Sequence, residues 1–108
     1  MKPNLEIDRE SIRLRVEGDL VSTNAPALRG EIDRLFDPAS DSPPDRKVFK
    51  LDLAAARMVD SVGLNLVVSL LKRVQKRGGR LQVVYSDPNV LRIFNFTRLD
   101  KQVELIKA

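Results

Sequence analysis

The chain has 108 residues with 43 % apolar composition, enough for one domain with one core and too little for two. Cysteine and histidine are both absent, which excludes disulfides, thiolate nucleophiles, the usual zinc sites and imidazole general bases. Lysine and arginine (19) outnumber aspartate and glutamate (15), for a net charge of +4; that balance admits an anionic partner, but the signs are mixed along the chain, as in Glu6-Ile7-Asp8-Arg9-Glu10.

No run of ~18 apolar residues could span a bilayer, and residues 1–17 lack the apolar stretch of a secretory leader. A cytoplasmic chain without membrane insertion is expected. Leu5 and Ile7 alternate with polar residues, residues 8–11 make a turn, and Ile12, Leu14 and Val16 alternate with Arg13, Arg15 and Glu17. This period of two predicts an opening hairpin with one buried face. Ser22, Thr23 and Asn24 are helix caps in waiting and Pro26 suits a first turn. Leu28, Ile32, Leu35 and Phe36 then predict an amphipathic helix over 24–36. Residues 37–46, with three prolines and three aspartates, are a loop.

A strand is predicted at 48–53, a connection at 54–60, and the longest helix at 61–77, stopped by Gly78-Gly79. A strand follows at 81–85. Asp87 caps a helix with Pro88 in its first turn and Val90, Leu91, Phe94 and Phe96 on its apolar side. A short strand at 102–106 closes the chain. The order β-β-α-β-α-β-α-β predicts a single α/β domain over residues 1–108, its sheet largely parallel with right-handed crossovers and one antiparallel pair.

The five glycines never assemble into a phosphate loop. Asp37, Asp41 and Asp45 share a loop but lack a calcium-loop pattern, so neither a metal nor a cofactor is expected. Asp52 lies inside its strand and is no phospho-acceptor. The basic cluster Lys72, Arg73, Lys76, Arg77 and Arg80 complements a helix C-terminus, and no aromatic-rich strand accompanies it for base stacking. In Asp60-Ser61, either residue can cap the helix that follows. With Leu64 placed at the core, Val67, Val68, Leu71 and Val74 share its face, while Val62, Leu66 and Leu70 point away. Those outward residues form either an interface with another protein or a second contact within the domain.

Leu51-Asp52-Leu53, Val59-Asp60-Ser61-Val62-Gly63-Leu64 and Gly78-Gly79 before Leu81 resemble the STAS domain of bacterial anti-sigma factor antagonists. Gly18-Asp19-Leu20 and Asn95-Phe96-Thr97-Arg98-Leu99-Asp100 fit the same pattern, so the likeness covers nearly the whole chain. Val21, Val62 and Asn65 depart from it, standing where the family carries an acid, a hydroxyl residue and a glycine. The resemblance implies a mixed four-to-five-stranded sheet packed against three or more helices. It implies a non-enzymatic partner switch: binding to an anti-sigma factor with a GHKL-type serine kinase domain, phosphorylation at Ser61, and reversal by a PP2C-type phosphatase. Met58, Asp60, Ser61, Val62, Gly63 and Leu66 are then the expected partner-binding residues, Gly63 by letting a partner backbone approach. Nucleic acid is not an expected partner. The alternative within the family is a non-switching adaptor, a subunit of a lipid-transport ABC system or of a signalling scaffold.

Overall fold

Alternating apolar residues become strands wherever one face can be covered. A computed structural model describes residues 4–7, 11–37 and 47–108. The first pair is β1 (Asn4–Ile7) and β2 (Ser11–Arg15), antiparallel, with Leu5 opposite Leu14 and Ile7 opposite Ile12. Ser11, expected in the turn, already belongs to the strand, while Asp8, Arg9 and Glu10 lie outside the described residues. Helix α1 (Ala25–Leu35) follows, with Pro26 in its first turn and Ala25, Leu28, Ile32 and Leu35 buried. The expected loop at 37–46 lies outside the described residues except for Asp37, and so do Asp41 and Asp45.

Strand β3 (Val48–Leu53) leads through residues 54–60 to α2 (Ser61–Lys76), and Gly78, at a φ of 73°, turns the chain after that helix. Then come β4 (Arg80–Tyr85), α3 (Pro88–Phe96), a single 3-10 turn over Leu99–Lys101, and β5 (Glu104–Lys107). The 3-10 turn was not legible in the sequence. It delays the last strand from the expected 102–106.

The sheet has five strands in the order β1-β2-β3-β4-β5, parallel from β2 onward. Because spatial order follows chain order, right-handed crossovers return α1, α2 and α3 to the same face. Burial agrees. Ile12, Leu14, Phe49, Leu51, Leu53, Leu81 and Val83 are buried beneath the helices with Leu66, Val67, Leu70, Val90 and Phe94. The opposite face bears a polar row whose register runs Glu6, Arg13, Lys50, Gln82, Glu104 across all five strands. Among the described residues no helix is long and apolar enough to cross a membrane.

Candidate functional site

The parallel strands end on one edge of the sheet, and the connection from β3 to α2 crosses that edge. It is tied down by the segment after β2. Leu20 and Val59 form an isolated parallel bridge, with Leu20 N–H donating to the Met58 carbonyl at 3.0 Å and Asp60 N–H to the Leu20 carbonyl at 3.2 Å. The Arg57 N–H donates to the Asp19 carboxylate at 2.8 Å. Two segments distant in sequence thus fix where α2 begins.

Of the two candidate caps, Asp60 takes the role. Its Oδ1 accepts from the Gly63 N–H at 2.9 Å and its Oδ2 from the Ser22 N–H at 2.8 Å. These bonds, the Gly63 amide first and Ser22 next, hold the Asp60 carboxyl below its ordinary pKa. Ser61 is therefore the first helical residue, exposed, with no hydrogen bond to its hydroxyl among the described residues. Met58 and Val62 flank it in the chain and are exposed at 56 % and 43 %. An exposed hydroxyl, an anion-tolerant helix start and an apolar rim share one spot.

Gly63 and Leu66 stand elsewhere. Leu66 is 1 % exposed and Leu70 fully buried. The expectation that this pair points outward is corrected: α2 rests on β4 and against α1 at once, so its buried sector is wider than one stripe and centres on Val67, Leu70 and Val74 rather than on Leu64. Gly63 faces inward as well. A Cβ there would lie 2.1 Å from the Leu20 carbonyl oxygen, so the close approach it allows is internal. Residue-by-residue reading missed the parts played by Asp19, Leu20 and Ser22. Their only signal was Gly18-Asp19-Leu20, which carried no chemistry of its own. Asp52 is buried and paired with Arg13, and the Ala54 N–H donates to its other oxygen at 2.9 Å.

The STAS domain family model matches residues 2–108. The chain belongs to the STAS domain family. This STAS domain is 24 % identical over 106 residues to the anti-sigma-B factor antagonist of Bacillus subtilis (strain 168), covering 94 % of this chain and 91 % of that protein. The crystal structure of an anti-sigma factor antagonist from Mycobacterium paratuberculosis superposes with a TM-score of 0.79 at 28 % identity, covering 97 % of this chain and 84 % of that one. The Bacillus cell fate determinant SpoIIAA in its phosphorylated form shares the fold, with a TM-score of 0.71 at 21 % identity over 98 % of this chain and 90 % of that one. The mixed sheet with three helices is the STAS fold.

Proposed function

We propose that this STAS domain is an anti-sigma factor antagonist whose grip on an anti-sigma factor is controlled by phosphorylation of Ser61. One observation carries the reading: the Ser61 hydroxyl is exposed at the start of α2 with no hydrogen bond among the described residues, between exposed Met58 and Val62, while neighbouring Asp60 does the capping. A relative named as an anti-sigma-B factor antagonist and a fold neighbour described as phosphorylated support it. The partner is an anti-sigma factor with a GHKL-type kinase domain, reversal falls to a PP2C-type phosphatase, and the setting is the cytoplasm. The domain itself performs no catalysis and reads no nucleic acid.

The physics separates fold from binding. A phosphoryl group adds about −1.5 to −2 charges. The helix dipole favours an anion at this position, and the Asp60 carboxylate is turned onto two amides. The fold survives. A partner seated over Met58, Ser61 and Val62 has to strip water from the dianion, and a loss of about 3 kcal/mol weakens binding more than a hundredfold.

Ser61→Asp is expected to keep the melting temperature near wild type and to lose binding to the purified anti-sigma factor in calorimetric titration. Ser61→Ala is expected to bind and to take up no phosphate from the kinase and ATP, read by intact-mass spectrometry. Undiminished binding by Ser61→Asp removes the switch.

A further inference from the structure

The exposed stripe of α2 continues well past Ser61. At ~100° per residue, Ser61, Asn65, Val68, Lys72 and Lys76 fall on one side of the helix. Asn65, Lys72 and Lys76 are exposed and Val68 half-buried. Asn65, Val68, Ser69, Lys72, Arg73 and Lys76 line a groove of about 480 Å³ along this side. The helix carries no acidic residue. Arg73 is engaged by Asp33 at 2.7 Å and lies over the Phe36 ring, which Arg77 also covers at 4.3 Å. Lys72 and Lys76 have no partner among the described residues. The helix dipole accounts for cations in the last turn, which holds Arg73 and Lys76; Lys72 precedes it.

We propose that α2 is a docking rail along its length for the protein that Ser61 controls, and that this partner presents an acidic surface to Lys72 and Lys76 while its apolar part covers Met58 and Val62. The proposal rests on the reading of Ser61 as the switch and names the partner's chemistry. Charge complementarity argues for an acidic face. The eleven residue steps from Ser61 to Lys72 span ~16 Å of helix, about two screening lengths at physiological salt. A phosphate therefore leaves the lysines unneutralised. The two ends of the rail act on different rate constants: the lysines steer encounter, and the Ser61 end sets how long the complex lasts.

Surface plasmon resonance of the full chain against the purified anti-sigma factor kinase tests this. The paired substitution Lys72→Glu with Lys76→Glu is expected to slow association about tenfold at low salt, with the gap closing at high salt and dissociation nearly unchanged. Ser61→Asp is expected to speed dissociation instead. Association of the paired variant at the wild-type rate at low salt overturns the rail. Lys72→Gln with Lys76→Gln, checked by circular dichroism, keeps the test valid if charge reversal unfolds the helix end. A lysine effect beside undiminished binding by Ser61→Asp sinks the switch and leaves the rail standing; the reverse pattern sinks the rail alone. Equally lysine-dependent binding to phosphatidylglycerol vesicles or to a random DNA duplex overturns the assignment to an acidic protein.

Discussion

Arg98 has φ 63° and ψ 17°, the left-handed conformation that an L side chain occupies at a cost of about 1–2 kcal/mol. The turn demands it. The Arg98 N–H closes α3 on the Asn95 carbonyl at 3.1 Å, and its own carbonyl accepts from the Lys101 N–H at 3.2 Å, which brings Leu99 and Val103 back into the core. Glycine is the residue free of this cost, although it loses more chain entropy on folding. Arg98→Gly is therefore expected to stabilise the domain by about 0.5–1 kcal/mol, raising the melting temperature by roughly 2–6 °C in scanning calorimetry. The side chain is exposed and far from Ser61 in sequence, so the gain is expected without change at the candidate site. A melting temperature at or below wild type shows that the arginine side chain makes up for its backbone.

At the scale of elements, α2 is where sequence reading succeeded and then slipped. Its bounds were legible, from Asp60 as a cap candidate to Gly78-Gly79 as a stop, because caps and stops are local chemistry. Its orientation was not. Eight of its residues are Val or Leu, so several choices of face satisfy the periodicity. The choice is made by β4 and α1 pressing from two directions, which no local pattern contains. The same holds for Gly63. As a letter it could serve a visiting backbone; in the fold its space is filled by Leu20, forty-three positions earlier. Ser61 and Asp60 could be named from sequence because a strand end, a cap and a helix start are contiguous there. Gly63→Ala measures the long-range half. The obstructing atom is backbone, so the strain cannot be relieved by a rotamer, and a loss of about 2–3 kcal/mol is expected. Urea denaturation reads it. A loss under about 0.5 kcal/mol means that the strap between Leu20 and Val59 yields, and the start of α2 is then less fixed than its hydrogen bonds imply.

The molecule as a whole has two unlike faces, because right-handed crossovers in sequential order send every helix to one side. The helical side carries the core and the Ser61 end of α2. The open side is polar, yet it holds the buried carboxylate of Asp52. Arg13 answers it across the junction of β2 and β3, with its Nε at 3.1 Å and a shorter contact from the terminal nitrogen. That pairing raises the Arg13 pKa above its ordinary value, through the hydrogen bond first and the Coulombic attraction second. Arg15 lies two residues along on the same face and, among the described residues, pairs with Glu17 at 3.5 Å, with both side chains nearly half exposed. The same change at the two positions should therefore give different answers. Arg13→Met strands a buried carboxylate on a single amide bond and is expected to cost about 1–3 kcal/mol. Arg15→Met breaks a solvated pair and is expected to cost about 0.5 kcal/mol or less. Urea midpoints at neutral pH compare them directly. Equal losses would mean that water already reaches Asp52. The open face would then be held by the backbone ladder alone, and its charges would be free for contacts outside the domain.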